Sequence, residues 1–157
     1  MPGRCVIFGG VLLASCVAAR AAETPAPYVT ESLRGKVLWT GDALKERFGI
    51  ESDPDAAHAS VSLVTPEGKV YPIVHDVRGR GFLKDERLRN RDMELLVRRY
   101  EGSPFIQIIR VYTIKEGRKY LLDYWCDICA IIMFELKECE CCQGPIRLRE
   151  EPVEQAP

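Results

Sequence analysis

Short runs of alternating or β-branched apolar residues, divided by turn-forming residues, make up most of this chain beyond residue 32. Residues 34–40 predict a strand. Residues 42–48 predict a short helix, with Asp42 as its N-cap and Gly49 closing it in a left-handed conformation. Asp53-Pro54 starts a turn or two of helix at most. Residues 60–65 set Val61 and Leu63 against Ser60 and Ser62, and Pro66-Glu67-Gly68 turns the chain into residues 69–75. Pro72 removes a ladder donor from that second run and predicts a sheet edge. After a long loop, residues 94–100, 105–114 and 119–125 form a meander, divided by turns at 101–104 and at Glu116-Gly117. Many short strands, tight turns and few helices predict a mainly β fold, a sandwich or a small barrel.

The N-terminus has a different pattern. A short positive stretch over residues 1–4 precedes an uncharged apolar run over residues 5–19, and Arg20 follows. The run is too short to span a bilayer and has the character of a signal peptide over residues 1–21. Leu13-Ala14-Ser15-Cys16 resembles the lipobox of bacterial lipoproteins, in which the cysteine becomes the lipidated first mature residue. Ala19-Arg20-Ala21 fits an A-x-A cleavage site instead. Both imply export, the first to a membrane-anchored lipoprotein and the second to a periplasmic or extracellular protein. Residues 22–31, rich in Ala and Pro, then form a linker.

Removing the signal leaves about 136 residues, enough for one domain with a modest core. The 157-residue chain carries a formal charge of −1, so it has no global basic field for nucleic acid, and export points the same way.

The run from Val64 to Ile73 resembles the middle hairpin of exported OB-like domains. Residues 85–97 resemble the segment before their next strand, with Asn90 where a positive φ is needed. The resemblance covers about residues 32–114. It implies an OB-like β-barrel over 32–122 with one or two short helices. A Cys-rich, zinc-ribbon-like extension over 123–149 would pack on the barrel, and residues 150–157 would be a disordered end. Residues 124–145 (YWCDICAIIMFELKECECCQGP), together with 97–104, resemble exported proteins of planctomycete-type bacteria. That likeness supports export and brings no catalytic residues with it.

The sharpest chemistry lies in the extension. Of seven cysteines, Cys5 leaves with the signal and Cys16 is lipidated or removed, so the mature chain keeps five, all between 126 and 142. Cys126 and Cys129, then Cys139 and Cys142, form two C-x-x-C pairs with nine residues between them, and Cys141 is left over. Four thiolates suit a closed tetrahedral structural Zn²⁺ site. The spacer is shorter than the common zinc pattern and contains no Gly, Pro, Asn or Asp. A straight helix would hold the pairs about 15 Å apart and a straight strand about 33 Å apart, so ligation requires a bend near residues 135–137. Disulfides are the competing reading in an oxidising compartment. A redox-active pair is the third, with Asp123, Asp127, Glu138 and Glu140 expected to hold the thiol pKa values up.

Other signals are weaker. His58 and His75 sit in no metal or triad spacing, and no hydrolase, P-loop or dinucleotide motif occurs. Arg78, Arg80, Lys84, Arg98 and Arg99 suggest a face for an anionic ligand. Their interleaving with acids equally fits a solvated, ion-paired surface. Trp39 and Trp125 are expected in the core. The sequence therefore predicts a non-enzymatic exported or envelope-anchored binding or structural module stabilised by a Cys₄ zinc site. Its partner would be an envelope component or another protein, with the membrane reached through the lipid anchor. The alternative is a thiol-disulfide or metal-handling protein that uses the same cysteines dynamically.

Overall fold

The structure, a computed structural model, describes residues 26–153. The expected signal peptide, lipobox and Cys16 lie outside the described residues. Ten regular elements follow in order: β1 (Tyr28–Trp39), α1 (Thr40–Phe48), β2 (Val61–Val64), β3 (Val70–Pro72), α2 (Val77–Lys84), β4 (Met93–Tyr100), β5 (Ile106–Lys115), β6 (Arg118–Cys126), β7 (Ile131–Met133) and β8 (Arg147–Pro152). A single 3-10 turn, Glu86–Leu88, leads from α2 towards β4. No helix among the described residues is long and apolar enough to cross a membrane.

All the strand pairs are antiparallel, in the order β3-β2-β1-β4-β5-β6-β7, with β8 on the other side of β6. The long β1 serves two partners, β4 through residues 28–35 and β2 through 36–39. Gly35 stands at the change of partner, where a Cβ would collide with the Val64 carbonyl. An isolated parallel bridge, Ile73 to Ile106, brings the β3 end of the sheet round to β5. The first five strands thus form a small, partly open OB-like barrel in which no full ladder joins β3 to β5. Its interior holds Val37, Leu63, Phe82, Leu95, Val97 and Ile106, all fully buried. The same apolar cluster runs on through Leu122, Tyr124, Cys126, Met133 and Cys139, so the Cys-rich extension packs on the barrel without a break.

Local signals were read well where a turn depends on its own residues. Gly49 (φ 67°), Gly68 (φ 82°) and Asn90 (φ 54°) are all left-handed, and β3, with Pro72, is an edge strand. Five expectations need correction. Residues 28–31 are not linker but the start of β1. They pair with β4, and the Tyr28 ring packs 5.4 Å from that of Tyr100. Residues 150–152 are not disordered but belong to β8, where Glu150 is gripped by Arg91 and Lys115. Part of the long loop is α2, capped by Asp76, which accepts from the amides of Arg78 and Gly79 at 3.1 and 3.0 Å. Asp42 does not cap α1, which begins at Thr40 after Trp39. Of the two tryptophans expected in the core, Trp39 packs against it but is only partly buried, and Trp125 is half-buried. Trp39 stacks on His58 (4.9 Å) with the Arg89 guanidinium 4.2 Å from its centroid, and Trp125 lies under Arg149 at 4.0 Å.

Candidate metal centre

β6 delivers Cys126 to the end of the sheet, and the chain then turns tightly. The Ala130 amide donates to the Cys126 carbonyl at 2.9 Å, and Ala130 takes φ 52°. The second pair repeats this geometry. The Gln143 amide donates to the Cys139 carbonyl at 2.9 Å, and Gln143 takes φ 58°. Each C-x-x-C is therefore a knuckle closed by a left-handed residue just after its second cysteine. The spacer makes two reversals where one bend was expected. The first knuckle sends β7 back along β6, and residues 134–137 bend the chain round again to Cys139. The second knuckle is tied off by the Cys139 amide, which donates to the Gly144 carbonyl at 2.9 Å.

These turns bring the sulfurs of Cys126, Cys129, Cys139 and Cys142 within 4.8 Å of one another. Cys126 Sγ and Cys142 Sγ, one from each knuckle, are 3.5 Å apart. A tetrahedron with Zn–S bonds of about 2.3 Å has edges of about 3.8 Å, so the four thiols could hold a metal ion after a contraction of about 1 Å at most. None of the described cysteines forms a disulfide, and Cys141 is exposed and outside the cluster. Cys126 and Cys139 are fully buried, while Cys129 and Cys142 are half-buried.

The electrostatics come from backbone and sulfur more than from the flanking acids. In each knuckle, amides point at the first cysteine. The Cys129 amide lies 3.5 Å from Cys126 Sγ, and the amides of Cys142 and Cys141 draw the Cys139 thiol down to about 7. Cys126 is held above its ordinary value because burial and the neighbouring thiols outweigh its Cys129 amide. Cys129 is pushed up by the Cys141 and Cys142 thiols and by burial. The expectation that acidic neighbours would hold every thiol up is thus corrected. Asp127 is occupied by Arg147, with contacts of 3.0–3.2 Å, and Glu140 by Lys137. Four crowded thiols and converging amides are what a cation would relieve, since a bound metal replaces the shared protons.

The basic residues do not form one face. Arg80 and Lys84 reach from α2 to the buried carboxylate of Glu135, at 3.0 and 3.4 Å, and Lys137 meets it at 3.0 Å. Arg80 first, and then the two lysines, pull Glu135 down to about 2 against the cost of burial. Arg78 lies over the Phe134 ring at 3.9 Å. Arg98 and Arg99, on β4, are committed to Gln107 (3.5 Å) and Glu31 (2.5 Å) respectively. Glu135, which clamps the extension to α2, carries no local mark in the sequence. Its partners lie more than fifty residues upstream, except for Lys137. His58 contacts Asp42 at 3.7 Å, and His75 is exposed; neither approaches the cysteine cluster.

The chain matches no protein-family model, no curated protein and no solved structure.

Proposed function

We propose that this chain is a non-enzymatic, exported and envelope-anchored binding module whose C-terminal extension is stapled to the barrel by a structural zinc ion. The observation that carries the zinc reading is the convergence of four sulfurs from two matching knuckles. A closed four-thiolate set leaves no open position for substrate or water, as in structural rather than catalytic sites. Cys126 and Cys139 would sit in the core, Cys129 and Cys142 nearer solvent. The role of the ion would be to fix β7 and the approach to β8 against β6. Dynamic use of the same thiols in disulfide exchange is the alternative. Against it stands the complete burial of Cys126 and Cys139, which a partner disulfide would have to reach.

Serine substitution tests the staple. Any one of Cys126, Cys129, Cys139 or Cys142 changed to Ser should abolish stoichiometric zinc in protein purified without chelator. Full metal retention in two or more of these variants would overturn the tetrad. For the anchor, Cys16→Ala should move the protein from the membrane to the soluble exported fraction, because one lipid cluster supplies the affinity. Unchanged fractionation, with Ala22 as the mature N-terminus, would assign the A-x-A site instead.

A further inference from the structure

β5 and β6 pair only from Tyr112–Leu121 to Lys115–Arg118. Beyond Tyr112 they splay, because β6 takes β7 on the edge that β5 has left. The gap is a cavity of about 440 Å³, within the range of small-molecule sites. Phe82 and Leu88 are buried beneath it, Leu122 and Tyr124 form one wall, and Ile132 and Phe134 stand partly exposed at the rim.

The opposite wall is irregular. The register of β4 and β5 slips between Leu96 and Val97, leaving Ile109 without a partner, as in a β-bulge. Regular alternation would turn only every second residue of β5 to one side, yet Ile109, Arg110 and Val111 all line the cavity. A bulge re-aims side chains in this way and is over-represented beside binding sites.

Charge at the cavity has one sign to spare. Its carboxylate, Asp123, is buried and held bidentately by Arg149 at 2.8 and 2.9 Å. The Tyr124 hydroxyl is committed to Asp85 at 2.6 Å. Arg78 and Arg110 also line the cavity, and among the described residues neither makes an ion pair. Arg80 and Lys84, on the same helix as Arg78, both do. The Phe134 ring under Arg78 fixes that guanidinium in advance.

We propose that this cavity binds an anionic amphiphile, a ligand with one apolar chain and a carboxylate or phosphate head. The chain would lie on Phe82, Leu88, Leu122 and Tyr124, and the head would meet Arg78 and Arg110. This names a ligand class for the binding role proposed above and rests on that reading. Its rim, Ile132 and Phe134, belongs to the extension that the zinc would hold.

Calorimetric titration of the full mature chain with dodecanoate and with dodecyl phosphate, each below its micelle concentration, tests it. One equivalent of at least one anion should bind, and the tighter of the two identifies the head group. Methyl dodecanoate should bind at least about tenfold more weakly. Arg78→Gln with Arg110→Gln should weaken the anions by at least about tenfold and leave the ester unchanged. Ile132→Trp, at the exposed rim, should weaken all three. No binding of either anion, or a double variant as tight as wild type, would overturn the site. Zinc content and melting temperature measured on the same samples separate a failed staple from a failed ligand site.

Discussion

The barrel and the extension share one core but are held by different physics. In the barrel, β1 pairs with β4 over eight residues and with β2 over four, around fully buried Leu63, Leu95 and Val97. In the extension, β7 has three residues, Ile128, Ile131, Ile132, Phe134 and Leu136 are exposed, and the buried polar groups include the thiols of Cys126 and Cys139 and the carboxylates of Asp123 and Glu135. The extension has fewer buried apolar residues than the barrel, and its order is expected to depend on ligation and on a few charged clamps. A chain can thus carry a weakly hydrophobic segment in a fixed place if chemistry substitutes for burial.

Removing a ligand should divide the two regions most sharply. Cys126→Ser, or chelation of the wild type, should cost the extension most of its order. Structural zinc contributes about 10–16 kcal/mol in small peptide domains, and several kcal/mol is the scale expected here. Hydrogen exchange should show amides of residues 123–149 losing protection while those of β4 keep theirs. Loss of protection in both together would show one cooperative unit. The converse change, Leu63→Ala, should destabilise the whole chain by about 2–5 kcal/mol while zinc stays bound near one per chain. Zinc loss at temperatures well below its melting point would contradict the division.

Glu135 sharpens the boundary, because it ties the extension to α2. Glu135→Gln should cost about 1–3 kcal/mol by chemical denaturation. Its pH signature follows from a carboxyl lowered to about 2 from an ordinary 4.5. A depressed carboxylate stabilises the fold above its unfolded value, and that contribution fades as pH falls from about 4.5 towards 2. The stability difference between wild type and Glu135→Gln should therefore shrink across that window, with zinc loss common to both. A difference independent of pH would contradict the clamp. The smallest effect is expected from Cys141→Ser, which should change melting by the equivalent of no more than about 0.5 kcal/mol and leave the metal in place.

How much was legible follows the same line. The Thr65–Gly68 turn, the left-handed Gly49 and Asn90 and the edge Pro72 were readable because each depends on its own residue and its neighbours. The paired C-x-x-C motifs were readable because ligand spacing is local. α2 was hidden by Gly79 and Gly81, which look like loop residues. They are glycines for packing reasons, since a Cβ on Gly79 would strike the Val74 carbonyl and one on Gly81 would sit 2.6 Å from the Phe134 carbonyl oxygen. The end of β8, residues 150–152, looked like a disordered tail because Arg91 and Lys115, the partners of Glu150, are distant in sequence. Of the spacer's two reversals, the bend near residues 135–137 was expected, whereas the one at Ala130 escaped notice because alanine there takes a conformation usually signalled by glycine.

The central claim is that a metal ion unites the four thiols. Native mass measurement of the mature chain, purified without reductant or chelator, tests it directly when followed by alkylation and peptide mapping. One zinc per chain is expected, with Cys141 modified rapidly and Cys126, Cys129, Cys139 and Cys142 modified only after chelation. A metal-free chain with those four cysteines joined as disulfides, or open to alkylation at once, would contradict the account.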